Sequence, residues 1–144
     1  MRLVDANVLL YAVNRASVHH REARRWLDTA LTSQEAVSFA WITLLAFLRL
    51  GTHPAIFSRP MSLPVAVEIA RDWLAQPAAL VVEPTPRHLD ILAGLLGSSG
   101  TAGNLVSDAH LATLAIEHDA VVVTFDADFG RFAGVRWEQP AAGG

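Results

Sequence analysis

The first ten residues, Met1-Arg-Leu-Val-Asp-Ala-Asn-Val-Leu-Leu10, constrain the fold more than any other stretch. Leu3-Val4 is a short apolar run that breaks at Asp5; Asn7 stands two residues on, and hydrophobic residues then resume. The run is too short for a helix. It reads as a buried strand of a parallel sheet ending on a carboxylate, followed by a turn into a helix beginning near Val8. Ligands of open α/β sheets sit beyond the carboxyl ends of the strands, and Asp5 stands at such an end. The plainer reading is that Asp5 or Asn7 caps the helix that follows.

The same alternation continues along the chain. Ser17 is placed to cap a helix whose apolar positions Ala23, Trp26, Leu27, Ala30 and Leu31 recur at helical spacing. Its opposite face carries Arg21, Arg24, Arg25 and Asp28, which reads as a solvated face or, more sharply, as a patch that contacts phosphate. Residues 36–39 form a second strand. Residues 41–50 hold only Thr43 and Arg49 as polar positions, so this helix is expected to be surrounded by protein, part of it from a second subunit. Residues 51–62, with Pro54 and Pro60, are a connection; Ser62 and Pro64 open a helix that runs through Leu74. Leu80-Val81-Val82 is a third strand, and Thr85-Pro86 starts a helix with Leu89, Leu92, Ala93 and Leu96 on one face, ending at Gly97.

After a small-residue loop over 98–103, a helix from Asn104 to about His118 places Asn104 and Asp108 four residues apart on one face. Residues 121–124 are a fourth buried strand, and Phe125-Asp-Ala-Asp-Phe129 follows as a loop held down by its aromatic residues. Val135-Arg136-Trp137 is a short edge strand, and residues 140–144 are a frayed tail behind a single domain over 1–139. Strands alternating with helices throughout mean a parallel α/β sheet with right-handed crossovers.

Composition narrows the function classes. A chain of 144 residues has the size of one domain and can enclose a full core. A hydrophobic fraction of 52% and a mean hydropathy of +0.33 imply a sheet covered on both faces, apolar surface that awaits a partner, or both. The longest apolar run, over 39–48, is too short to span a bilayer, and Asp5 interrupts what would be the core of a signal peptide, so a cytoplasmic location is expected. Cysteine is absent, which excludes disulfides and thiolate metal sites. A net charge of −3 gives no general attraction to nucleic acid. All 11 basic residues are arginine, a bias that genomic base composition can produce.

If the strands bearing Asp5 and Thr124 are neighbours, Asp5, Asp108, Asp126 and Asp128 converge on one crevice. Two carboxylates about 5 Å apart repel by roughly 3 kcal/mol at an effective dielectric near 20, which favours protonation or a bound cation. Carboxylates and water without softer ligands point to magnesium or manganese rather than zinc. Such an ion lowers the pKa of a bound water and stabilises charge on a phosphodiester, which is the physics of a metal-dependent nuclease. The alternative is local: Asp126 and Asp128 in an Asx turn, Asp108 as a helix cap.

Asp5-Ala-Asn7, Asp108-Ala-His-Leu-Ala112 and Thr124-Phe-Asp-Ala-Asp-Phe129, in this order, resemble the PIN-domain ribonucleases, most of all the toxin members of bacterial VapBC toxin–antitoxin pairs. The likeness runs from Met1 to about Trp137 and includes Phe47-Leu-Arg49 and Thr52-His-Pro54. It implies a three-layer sandwich with a central five-stranded parallel sheet, magnesium-dependent cleavage of RNA, a VapB-type antitoxin as partner and a toxin homodimer. Residue by residue, it implies that Asp5 and Asp108 bind metal, that Asp126 and Asp128 complete the site, with Asp126 a further ligand, and that Asn7 and Thr124 orient the carboxylates. Ala46 departs from the pattern: the family usually has a glutamate just before its Phe-Leu-Arg, so metal affinity should be weaker unless another residue serves, and Thr43, one turn earlier, has only a hydroxyl. Arg49 and Arg131 are candidates to contact phosphate or antitoxin, and His110, two residues from Asp108, to support the site or lie on the surface. Trp26, Trp41, Trp73 and Trp137 read as core or interface residues.

A phosphoacceptor receiver domain and a haloacid-dehalogenase-like phosphatase also gather aspartates at strand ends. Both need a lysine, and the chain has none; the second also needs an aspartate where Asn7 stands. A non-catalytic RNA-binding or interaction module on a decayed nuclease site is the remaining alternative, and Ala46 is what keeps it open.

Overall fold

The structure is a computed structural model that describes residues 1–99 and 103–140, without the side chains of Ser99 and Asn104. The chain alternates as the hydrophobic pattern requires: β1 (Arg2–Val4), α1 (Ala6–Val13), α2 (His20–Leu31), β2 (Val37–Phe39), α3 (Trp41–Gly51), α4 (Leu63–Leu74), β3 (Ala79–Val81), α5 (His88–Ser99), α6 (Val106–Glu117), β4 (Val121–Val123) and β5 (Trp137–Glu138). Short 3-10 turns cover Gly103–Leu105 and Ala127–Arg131. The five strands are all parallel, in the order β3-β2-β1-β4-β5, and Val4 pairs with Val123 at the carboxyl ends of β1 and β4. The two acid-bearing strand ends are therefore neighbours at the centre of the sheet.

Alternation along the strands divides the core in two. Val4, Phe39 and Val123 face a cluster with Val8, Leu9, Leu27, Leu44 and Phe47 from α1, α2 and α3. Leu3 and Val122 face the other way, onto Leu95, Ala109, Leu111 and Leu114 from α5 and α6. The central strands are covered on both faces, while β3 at the edge leaves Leu80 and Val81 exposed, and the arrangement is the three-layer sandwich that the family resemblance implied. Among the described residues no helix is long and apolar enough to cross a membrane.

Several element boundaries differ from the sequence reading, each for a local reason. α1 starts at Ala6, not near Val8, because the Asp5 carboxylate caps it directly by accepting from the Ala6 amide at 2.7 Å. α2 starts at His20 instead of directly after Ser17, whose hydroxyl accepts from His19 N at 3.1 Å and whose carbonyl accepts from His20 N, closing a turn ahead of the helix. α5 passes through Gly97 to Ser99. Asn104 falls in a 3-10 turn ahead of α6, and the face expected to be shared with Asp108 lies outside the described side chains. The edge strand lies one to two residues later, at Trp137–Glu138. Part of the 98–103 loop and residues 141–144 of the expected tail lie outside the described residues.

α3 is covered on one side only. Its buried side is Thr43, Leu44, Phe47 and Gly51, but Trp41 and Leu45 are 51% and 58% exposed, so this chain alone does not surround it. Phe57, within the 51–62 connection, is buried in the core beside α1 and α3. Trp26, Trp73 and Trp137 pack at the core margins.

Candidate active site

Asp5 leaves β1 with its amide still on the ladder, donating to Val123 O at 3.0 Å, and then caps α1. One residue past β4, the wholly buried Thr124 donates its hydroxyl to Asp5 Oδ2 at 2.8 Å. The Thr124 hydroxyl oxygen in turn accepts from Asn7 Nδ2 at 3.0 Å and from the Asp126 amide at 3.0 Å. Asn7 completes the tie: its Oδ1 accepts from Phe125 N at 3.1 Å while its Nδ2 lies 3.4 Å from Asp5 Oδ2. Asp126 Oδ1 accepts from the Asp128 amide at 2.9 Å and opens the 3-10 turn Ala127–Arg131. The local roles and the shared site are thus one arrangement: the caps hold the carboxylates where the strands deliver them.

Asp108 comes from a separate element, the first turn of α6. Its carboxyl is pushed up to about 6, first by burial and then by the charges of Asp5, Asp126 and Asp128, with Arg131 acting in the opposite direction. Burial likewise raises the Asp5 carboxyl, against the hydrogen bonds from Thr124 and Ala6, and Asp126 adds to the rise. Four acids from three parts of the chain therefore share one electrostatic neighbourhood. Arg131 stands at its rim, 3.7 Å from Asp128.

Arg49 is exposed at the last turn of α3 and has no ion pair among the described residues. Ala46 is half-buried on α3, and the Thr43 hydroxyl donates to Ala40 O at 2.8 Å, so it is turned to its own backbone and does not replace a missing carboxylate.

The donor set is oxygen only, with Thr124 and Asn7 fixing carboxylate orientation, and it suits a hard divalent cation. Among the described residues, no three His, Cys, Asp or Glu side chains already stand in ligating geometry around one point. The fit rests on charge: the carboxyls that repel one another here are those a cation would reconcile.

A second polar construction was not visible in the sequence. Glu117, 1% exposed, receives His88 Nδ1 at 2.6 Å and the Thr85 amide at 2.8 Å. His88 Nε2 lies 2.8 Å from His110 Nδ1, and burial with the adjacent His88 lowers the His110 pKa. His110 and Glu117 are seven residues apart, two turns on one face of α6, which was the only local signal. Their partner on α5 could not be foreseen from spacing.

Fold and site together define an α/β domain that gathers acids where its two central strands end. The PIN domain family model matches residues 2–135, and the chain belongs to the PIN domain family. Over 142 residues, 99% of each chain, it is 57% identical to Ribonuclease VapC37 of Mycobacterium tuberculosis. It is 37% identical to Ribonuclease VapC33 of the same species, across 97% of this chain and 98% of that protein. In fold it is similar to VapBC2 from Rickettsia felis, solved bound to a promoter DNA fragment, with a TM-score of 0.71 at 18% identity, covering 96% of this chain and 97% of that one.

Proposed function

We propose that this protein is the toxin of a type II toxin–antitoxin system and acts as a magnesium-dependent endoribonuclease. The observation that supports the reading is that Asp5, Asp126 and Asp128 all raise the Asp108 carboxyl, so acids from separate elements share one electrostatic neighbourhood. The ribonuclease relative at 57% identity over the whole chain supports RNA as the substrate. Asp5, Asp108 and Asp126 would hold the ion, with Mn²⁺ an alternative to Mg²⁺. Bound there, it would supply a lowered water pKa and charge stabilisation at the phosphate. Asp128 with Asp126 orients the attacking water or holds a further ion, Thr124 and Asn7 fix the angle of Asp5, and Arg131 contacts the substrate phosphate. The exposed Arg49 is a second candidate for that role.

A VapB-type antitoxin is the proposed partner, since the solved neighbours include VapBC pairs. A homodimer formed through the exposed side of α3 and a cytoplasmic location complete the reading.

The test is cleavage of labelled single-stranded RNA in Mg²⁺, in Mn²⁺ and in EDTA, by wild type, Asp5→Asn and Asp108→Asn. Wild type should cut only with a divalent ion, and each variant should lose on the order of a hundredfold in rate, as for a group acting on transition-state charge. Equal cleavage by all three proteins would assign the activity to a contaminant. RNA binding without cleavage by wild type would favour the non-catalytic module, the reading for which Ala46 and the unassembled ligand geometry speak.

A further inference from the structure

The loop entering α2, together with the face of α2 that continues it, forms a groove outside the acid site. Arg15, Ser17, Val18, His20, Arg21, Glu22 and Arg25 line it around a volume of about 490 Å³. Arg15, Arg21, Arg24 and Arg25 stand here against only Glu22 and Asp28, in a chain of net charge −3. Of the four, Arg24 alone has an acid partner among the described residues, Asp28 at 3.7 Å. Arg21 and Arg25 lie one turn apart on the same helix face.

Next to this groove, on the side of the acids, stands an aromatic stack. The His19 ring lies on Phe125 with centroids 4.5 Å apart and planes at 26°, and Tyr11 tilts against both at 5.4 Å. All three are half-buried, and Val18, the neighbour of His19, is 90% exposed. Phe125 is bound through its amide to Asn7, and Asn7 lies against Asp5, so the stack is tied directly to the carboxylate network.

Unpaired guanidinium groups beside partly open rings are the combination that binds single-stranded nucleic acid, with cations on phosphates and rings on bases. We propose that this groove is a track for single-stranded RNA leading into the acid site, with Arg15, Arg21 and Arg25 on the phosphates and the His19–Phe125 stack carrying an unstacked base. The inference rests on the ribonuclease reading and deepens it by naming the surface along which the strand reaches the acids. Duplex RNA keeps its bases stacked and would leave the rings without a partner. An acidic peptide would satisfy the arginines but offers no planar group to the stack.

Initial rates on an end-labelled single-stranded RNA of about twelve nucleotides, in Mg²⁺ across a salt series, test the track. Arg15→Ala/Arg21→Ala should raise KM on the order of tenfold and flatten the slope of log KM against log salt by about 1.4, two lost single-strand phosphate contacts. His19→Leu should raise KM about fivefold with the salt slope kept, as loss of one stacking partner does. Arg15→Lys/Arg21→Lys should restore the slope, and Arg71→Ala on α4, the loss of one arginine charge beside Glu68, should leave both quantities at wild-type values. Melting temperatures within a few degrees of wild type establish that the variants fold. Unchanged KM and slope in the double alanine variant, with wild type still cutting, overturn the track and leave the nuclease reading standing. Unchanged RNA kinetics with lost binding of an antitoxin-derived acidic peptide also overturn it, assigning the groove to a protein. Failure of wild type to cut overturns the nuclease reading, and the track is then decided by anisotropy with the same RNA: salt-dependent binding weakened by the double variant upholds it, equal binding overturns it.

Discussion

Asp108 and Thr124 carry opposite halves of the site's chemistry. Asp108 is held up to about 6 from an ordinary 3.8, so without a cation its ionised form is a burden on the fold. A carboxyl whose folded pKa lies above its unfolded value gives stability that is fully present below about 3.8 and lost as the pH rises through about 6. The shift would amount to about 3 kcal/mol if fully buried, but Asp108 is half-exposed and screening leaves about 1 kcal/mol. Asp108→Asn should therefore raise the melting temperature of metal-free protein by about 2–4 °C at pH 7.5. It should leave it unchanged near pH 3.5, by calorimetry in EDTA; a variant no more stable at pH 7.5 would show that the acids do not repel there. Most of these residues could be read from the sequence because each sits where a regular element ends: Asp5 after an apolar run, Asp126 and Asp128 after another. Thr124 was legible as a polar residue closing a valine run, but its role as acceptor for Asn7 and Asp126 together depends on β1 and β4 being adjacent. Arg49, the other arginine expected near the crevice, is exposed on the last turn of α3.

Elements were easier to recognise than to bound, because side-chain hydrogen bonds move helix starts by one to three residues while the hydrophobic period stays the same. Asp5 pulls α1 forward and Ser17 holds α2 back. The pairing of α5 with α6 was not legible at all, since Glu117, His88 and His110 become one hydrogen-bonded chain only when the two helices pack. That chain has an energetic consequence. Glu117 is buried, and Glu117→Ala leaves the Thr85 amide and one His88 nitrogen without their acceptor. Each such loss costs about 1–3 kcal/mol, so the variant should lose about 3 kcal/mol in urea denaturation. Glu117→Gln, which still accepts from Thr85, should lose less. Equal stability of Glu117→Ala and wild type would mean that packing, not this chain, holds α5 on α6.

At the scale of the molecule, the high hydrophobic content has two destinations. Most is enclosed between the sheet and its two helical layers; the rest is exposed at several places, Leu63, Leu89 and Val18 among them, and on α3 Trp41 and Leu45 stand one turn apart and open to solvent, directly after β2. An apolar helix of this kind is stable in water chiefly when the exposed side is covered, and burying a tryptophan and a leucine contributes about 3–5 kcal/mol to association before its entropy cost is subtracted. A second copy is the expected cover, because a two-fold contact lets the same stripe meet itself. The residues needed for such a contact were present in the sequence as a helix with almost no polar face. What sequence could not tell was which side the chain covers itself, since Leu44 and Phe47 look no different from Trp41 and Leu45 until α4 and the 51–62 connection fold over one of them. Wild type should sediment as a dimer at micromolar concentration, and Trp41→Arg/Leu45→Arg should sediment as a monomer that melts within a few degrees of wild type, because neither side chain lies in the core. A monomeric wild type, or a variant that stays dimeric, would place the subunit contact elsewhere and leave the α3 stripe for a different partner.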